Sequence, residues 1–568
     1  MNGVARTWDD TDASATVRGA RTWVANNAWL IASVAVVAFG VWLRSRHMFH
    51  AVIPFWTDEA HGANELMRGR LLKPSVRPVG FMAVSYWLAS VFGPTETTLR
   101  LLPWLSGVLG AVVAIPLAGR LFQSPAIRLL FIAILALHPF TIDFSREFKP
   151  YSTSIFIHST CLWCALSYWQ TRELRWLLAG ATAGWFGVLL AQDVLFLYPG
   201  FYLSAAIAAW RTPEKRLGHL IATGVAVAMT LALLGVLYWF LWRHMAGPQD
   251  AGKGKAFGYG KAFFSPAWDL FWSAGSGQSR PQWFAHKLAD ILAFPGDRRA
   301  IWVRPGLISD TKFEALVSLD RAIWISLSAI GFIRIAYRKR LQDLLLIVLP
   351  VLVTAAFNLK LLWPFAAIRT NLFMLVYTSA LACLALDATE PWRARHWSRV
   401  VPVLLLVLAP LLLFERTWHR LKQVTPSGGL LDAAQALLEL QGATRPAKPE
   451  TLIVDGWARD PWFYYTRTDP GHRELFAELR GRFRAHTSGS FGIAPLSLAR
   501  KVVGHDMDRF WILAANPRHI NDLKDGIPRG YRVVARKLVA DELALVVALQ
   551  REPYVRRHEP SARKQRAR

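Results

Sequence analysis

Two adjacent carboxylates, Asp58 and Glu59, stand in the stretch PFWTDEAHGANELMRGRLLKPSVRP, residues 54–78, with Arg68, Arg70, Lys73 and Arg77 behind them. Neighbouring like charges that are partly desolvated push one carboxylate's pKa upward, which is the condition a general base needs. The same residues also fit a solvated loop whose acids are neutralised by Arg68 or Arg70, and the residues alone leave both readings open. A second stretch, SREFKPYS at 145–152, sets Arg146, Glu147, Lys149 and Tyr151 within six residues. Two cations and a phenol can grip a phosphate. They can equally anchor a helix end at lipid head groups. Arg369, which follows NLKLLWPFAAI and precedes an apolar run, faces the same pair of readings.

Other groups point away from chemistry. The stretch AGKGKAFGYGKAFF, 251–264, fails as a nucleotide-binding loop: five residues separate Gly254 from Gly260, and Ala262 follows Lys261 where Ser or Thr is needed. It reads as a basic loop. His61, His138 and His158 show no metal-ligand spacing. Cys161 and Cys164, within CLWC, read as small apolar residues on a buried helix. No motif requires a metal or other cofactor, although an Asp58–Glu59 pair also suits weak binding of a divalent ion.

The elements that must position these groups are membrane helices. The chain of 568 residues is 53% hydrophobic, holds 26 Trp and has a positive mean hydropathy, outside the soluble globular range. A helix needs about 17 to 25 mostly apolar residues to cross roughly 30 Å of hydrocarbon, because no backbone group can stay unpaired there. Eleven runs qualify: 24–43, 99–118, 126–142, 152–169, 175–191, 194–210, 217–242, 319–337, 341–358, 371–387 and 400–416. The first lacks a small-residue cleavage site and reads as an uncleaved span behind a cytoplasmic segment, 1–23.

The net charge of +27 could signal nucleic acid, but much of the Lys and Arg lies in short loops between apolar runs. With the N-terminus cytoplasmic, RTPEKR, the RKR at 338–340 and RARHWSR fall inside, as the positive-inside rule expects. Topology therefore accounts for the charge, and no nucleic-acid partner is expected. VGFMAVSYWLASVFG, 79–93, is too short to span and reads as an interfacial helix. That parity places a first catalytic loop, 44–98, the loop at 143–151, a long loop, 243–314, and the turn at 358–369 on one face, outside the cytoplasm.

Beyond a linker, 417–430, the chain changes character. LLDAAQALLELQ, TLIVDG, HRELFAELRGRF, RFWILAAN, a short helix near HINDLKDG, and the pair YRVVARKLV and LALVVAL read as a small extracytoplasmic α/β domain, 431–553. The basic tail, 554–568, is too charged to pack. The expected fold is thus an α-helical polytopic membrane protein of about 11 spans plus interfacial helices, with a small C-terminal α/β domain.

The ordered set of a first span, TDEA, RPVGFMAVSYWLASVFG, TLRLLPWLSGVLGAVVAIPLAGRLF, SREFKPYS and WPFAAIR resembles the family 39 glycosyltransferases of the membrane-embedded C superfold. These include protein O-mannosyltransferases and the aminoarabinose and galacturonic acid transferases that modify lipopolysaccharide. The resemblance spans 24–416. It implies that Asp58, with Glu59 beside it, matches the catalytic acidic position, that Arg146, Lys149 and Tyr151 face the donor phosphate, and that Arg369 is the cation before a late span. His61, Arg77 and Glu147 become candidate donor or acceptor contacts. Many relatives carry a His-Pro-Pro-like sequence where this chain has Arg77 and Pro78. The implied reaction is inverting transfer of a sugar from a polyprenyl-phosphate donor to a glycan, lipid or protein acceptor at the outer face of the cell membrane. Two other classes compete: a transporter or flippase for a lipid-linked or anionic substrate, and a non-catalytic scaffold. Transporters tend to show midplane charges and repeats, whereas this chain holds its charge at span ends.

Overall fold

The computed structural model describes residues 10–49, 55, 57–69, 77–242, 278–296, 311–359, 363–365, 369–387, 428–442, 446–456, 458–469, 471–487, 508–515, 520, 523, 531–539 and 544–551. The chain divides into two compact units. One comprises Met1–Ala51, Leu71–Trp87 and Arg100–Lys422, the other Val52–Arg70, Leu88–Leu99 and Gln423–Arg568. The second unit therefore joins two parts of the expected first catalytic loop to the C-terminal region.

The helices in chain order are α1 (Asp10–Phe49), α2 (Thr57–Met67), α3 (Val79–Phe92), α4 (Glu96–Leu121), α5 (Pro125–Leu137), α6 (Pro139–Asp143), α7 (Tyr151–Thr171), α8 (Leu174–Leu190), α9 (Tyr198–Trp210), α10 (Arg216–Phe240), α11 (Arg280–Leu292) and α12 (Thr311–Tyr337). They continue as α13 (Leu341–Leu359), α14 (Met374–Leu386), α15 (Gly428–Gln441), α16 (Arg459–Arg467) and α17 (Arg473–Arg482). Ten of the eleven expected runs fall on helices of the first unit. The run at 400–416, the basic loop at 251–264 and the tail at 554–568 lie outside the described residues. Four described helical segments, Trp29–Arg46, Glu96–Leu121, Pro213–Phe240 and Leu341–Leu359, are long and apolar enough to cross a membrane. At 14 residues, α3 reaches about 21 Å at 1.5 Å per residue, short of the hydrocarbon thickness.

Close backbone approach sets the packing of the first unit. Gly331 of α12 meets α14 so tightly that a Cβ there would fall 1.9 Å from the Leu381 carbonyl oxygen, and one at Gly200 of α9 would fall 2.2 Å from that of Leu345. Small residues at such crossings let helices gain dispersion contacts where lipid offers no hydrophobic drive. Residues 344–348 of α13 form a π-helical stretch, a local widening with no sequence mark.

In the second unit, a five-stranded sheet runs in the order β2-β1-β3-β5-β4, from β1 (Glu450–Val454), β2 (Phe483–Thr487), β3 (Arg509–Ala514), β4 (Tyr531–Val539) and β5 (Ala544–Arg551). β1 pairs in parallel with β2 and β3, while β5 lies antiparallel to β3 and β4. The near-continuous apolar run of β5 is buried along Ala544–Leu549 because both faces are covered: Leu545, Val547 and Leu549 pack in a core with Ile520 and Leu523, and α15 lies against the strand. The sequence reading of HRELFAELRGRF as one helix is corrected: α17 ends at Arg482 and Phe483 opens β2, an edge strand. The helix expected near HINDLKDG lies mostly outside the described residues, although Ile520 and Leu523 are buried in the core of this unit.

Replacing Gly331 by Ala forces α12 away from Leu381 and should cost about 1–3 kcal/mol. A lowered melting temperature in detergent checks this. Gly119→Ala, at a position with nothing within 4 Å, should leave it unchanged or slightly raised.

Candidate functional site

The two carboxylates of TDEA lie in the first turn of α2, the end at which a helix dipole favours negative charge. Successive residues on a helix point about 100° apart. Asp58 is accordingly half-buried while Glu59 is 1% exposed, so the adjacent pair serves two faces. His61, one turn on, approaches Asp460 through Nδ1 at 3.1 Å and Glu65 through Nε2 at 3.6 Å. Asn64 Nδ2 donates to the Asp460 carbonyl at 2.8 Å. Just before the helix, the Phe55 N–H donates to the Tyr465 hydroxyl at 2.7 Å.

These partners belong to α16, which the sequence reading passed over. Its segment RDPWFYYTR mixes charge, Pro and aromatics, so it lacks a clean apolar period. Burial alone would raise the Asp460 pKa, but hydrogen bonds from His61 and Arg459 outweigh it and hold the carboxyl below its usual range.

The cations sit in the first unit. Arg146 and Lys149 are 9% and 7% exposed in the turn between α6 and α7. Asp143, one turn back, pairs with Arg146 Nη2, while Nε and Nη1 of Arg146 are buried with no hydrogen-bond partner. A guanidinium with two unmatched donors in a dry site is costly, and an anion supplies what it lacks. The turn leads straight into the N-terminus of the 21-residue α7, whose first N–H groups also favour an anion.

That turn is held in place. Ser152 donates to the Pro103 carbonyl at 2.8 Å and Thr153 to Ser106 at 3.0 Å, while Phe148 stacks on Phe81 at 5.4 Å. Tyr151 is half-buried, its ring edge-on to Phe144 at 5.2 Å. Gly107 of α4 permits the approach, since a Cβ there would lie 2.5 Å from Ser145 Cβ. Glu147 and Arg77 are half-buried in this unit. Arg369 opens a short 3-10 turn, Arg369–Asn371, and its side chain lies outside the described residues. The turn is pinned by Asn371, which accepts from Trp363 Nε1 at 2.7 Å and donates to the Pro364 carbonyl at 2.9 Å, and by Asn358, which donates to the Trp363 carbonyl at 2.9 Å.

The helical unit also encloses a set of polar groups, of which the sequence left Ser154, Asp193 and Tyr377 unmarked. Ser154 bonds the buried Asp193, and His158 Nδ1 lies 2.7 Å from the Tyr377 hydroxyl. His138 accepts from the Phe140 N–H at 3.2 Å, acting as a cap. Cys161 and Cys164 are buried free thiols.

Among the described residues, Glu96, Asp469 and His472 bring three metal-capable donors within 4.8 Å of one another. Asp469 already accepts from the Gly471 and His472 N–H groups at 3.2 and 2.9 Å and lies 2.6 Å from His472 Nδ1. The arrangement forms a tight turn just ahead of α17 and a His–carboxylate pair.

Residues 76–239 match the family model described as dolichyl-phosphate-mannose-protein mannosyltransferase. No curated protein sequence matches the chain. Among solved structures, the chain is similar to ArnT from Cupriavidus metallidurans bound to undecaprenyl phosphate, at 16% identity and TM-score 0.45, over 92% of this chain and 98% of that one. It is also similar to the Archaeoglobus fulgidus oligosaccharyltransferase in its apo form, at 13% identity and TM-score 0.43, over 88% and 70% of the two chains.

The hydrogen bond that His472 donates to Asp469 raises the His472 pKa against the opposing effect of burial, and the charges of Asp469 and Glu96 add to it. A raised value means that the stabilisation is full below the unfolded value of 6.5 and is lost as pH rises through the folded one. The melting temperature of wild type minus that of His472→Gln should therefore be largest below pH 6.5 and shrink above it. A difference that grows with pH contradicts this linkage.

Proposed function

We propose that the protein is an integral-membrane inverting glycosyltransferase that moves a sugar from a polyprenyl-phosphate donor to an acceptor hydroxyl on the extracytoplasmic face. The observation that carries this reading is Arg146, a buried guanidinium with one arm fixed by Asp143 and two donors unmatched, beside Lys149 at the head of α7. The match of residues 76–239 to a sugar-transferase family model supports it independently.

In the reaction, the acceptor oxygen attacks the anomeric carbon from the face opposite the phosphate, so configuration inverts. The proton of that hydroxyl passes to Asp58. The bond between the anomeric carbon and the phosphate oxygen breaks, and its electron pair leaves with the lipid phosphate. Arg146, Lys149 and Arg369 take up the charge that develops there. Phosphate is already a good leaving group, so no acid is needed to protonate it, unlike the paired carboxylates of glycoside hydrolysis. Glu59, buried on another face of α2, supports the acid's helix, while the family resemblance makes Tyr151, Arg77, Glu147 and His61 candidate donor or acceptor contacts. The mechanism uses no metal, and EDTA should leave the rate unchanged.

A transporter would draw instead on Asp193 and His158, buried polar groups within the helical unit. The two readings separate in one assay: release of free polyprenyl phosphate from a panel of polyprenyl-phosphate sugars, with native membrane acceptors. Wild type should release it from one donor, Asp58→Asn should not, and Arg146→Ala should lose about 10²–10³-fold in kcat. Unchanged turnover in Arg146→Ala removes its role. Substrate movement without phosphate release would establish transport.

A further inference from the structure

The geometry points to Asp460, in the C-terminal α/β region, as a positioning residue for the helix that carries Asp58. The inference rests on Asp58 being the base. It makes the soluble domain part of the catalytic apparatus.

At 11 residues, α2 is too short to hold itself in water, since isolated helices shorter than about 12–15 residues are marginal. Its direction must come from what it packs on. A single residue, Asp460, meets it twice: the carboxylate takes His61 Nδ1 at 3.1 Å and the main-chain carbonyl takes Asn64 Nδ2 at 2.8 Å. His61 and Asn64 are three apart, so they lie on one face. Two bonds to that face fix both the rotation of the helix about its axis and its position along it. Asp58 is three residues before His61 and shares that side of the helix, so a rotation at His61 is a rotation at Asp58.

The post that Asp460 provides is itself rigid. Asp455, fully buried at the end of β1, accepts from the Ala458 N–H just before α16 and from the Ala515 N–H just after β3, each at 2.8 Å. The sheet thereby anchors the start of α16, and Asp460 sits in the first turn of that helix. Arg459 braces the carboxylate at 3.1 Å. Farther along α16, successive tyrosines reach the two ends of the loop that carries α2. The Tyr465 hydroxyl accepts from the Phe55 N–H at 2.7 Å, and the Tyr464 hydroxyl donates to the Pro94 carbonyl at 2.6 Å. The Phe55 ring packs on Tyr464 at 4.9 Å. The chain of support runs from sheet to Asp455, to Asp460, to His61 and Asn64, and so to Asp58.

The test uses the full-length protein with the polyprenyl-phosphate release assay. Asp460→Ala should lower kcat at least tenfold with the donor KM held within about twofold, because a misaligned base harms the chemical step more than binding. Asp460→Glu, which can restore the His61 contact, should recover part of the loss. His61→Ala combined with Asp460→Ala should lose no more than the worse single variant, since both remove one bond. General damage to the domain would multiply the losses. In parallel, amide hydrogen exchange should speed up in 57–67 of Asp460→Ala while β1, β3 and β5 stay protected. An inactive Asp58→Asn together with an undiminished Asp460→Ala overturns the inference, as does unchanged exchange in 57–67. An active Asp58→Asn instead overturns the base reading, and accelerated exchange would then establish only the docking.

Discussion

A cation that has left water and not found all its partners is the constraint around which the helical unit is organised. Burying a guanidinium is tolerable when its N–H groups are matched, and expensive when they are not. Arg44 comes close to the matched case, with only Nε left without a partner. It is 1% exposed, and its terminal nitrogens donate to the Gly40 and Ala136 carbonyls at 2.9 and 2.6 Å and to the Thr141 hydroxyl at 3.0 Å, tying α1 to the end of α5. Arg146 shows the other case. Its neighbours satisfy one nitrogen and hold the rest in a dry, fixed place, which is how a protein prepares a site for charge that arrives with a ligand. Ser152, Thr153, Phe148 and Gly107 then read as the fixtures that keep this site in register with α4 and α3.

How much of this was visible beforehand follows from the range of each interaction. Membrane helices declare themselves because hydrocarbon forces a continuous apolar run, and the ten described runs landed on helices for that reason. The α/β region was legible where strands are central and apolar, as in TLIV and LALVVAL. It was not legible at FRAHT, a polar edge strand, or at RDPWFYYTR, whose aromatics gain burial from tertiary partners rather than from any period. The candidate cations and acids were readable as residue types. Their fixtures were not: Asp460 and His61 are 399 positions apart, and Thr153 and Ser106 are 47. Pairings at that separation leave no local mark in one sequence.

The Asp58–Glu59 pair shows how local structure changes a sequence argument. As neighbours in sequence, the two acids repel each other. On a helix they diverge, and Glu59 turns inward to near-complete burial while Asp58 remains half-open. The physical question shifts from mutual repulsion to what orients the helix. Its polar face is then as informative as the acids themselves, and on that face lie His61, Asn64 and Glu65.

The proposed positioning by Asp460 gives the C-terminal sheet domain a role that composition alone does not assign. A binding domain appended for selectivity could tolerate loose attachment, whereas one that supplies both partners of a three-turn helix cannot. The precision needed at a reacting carbon is well under the displacement that one lost hydrogen bond permits. The His472–Asp469 pair belongs to the same unit, and Tyr465 packs against both His472 and Phe476. The His472–Asp469 pair is therefore adjacent to the tyrosine that bonds the Phe55 N–H. On the proposed mechanism, stability of the sheet domain and alignment of Asp58 become one problem.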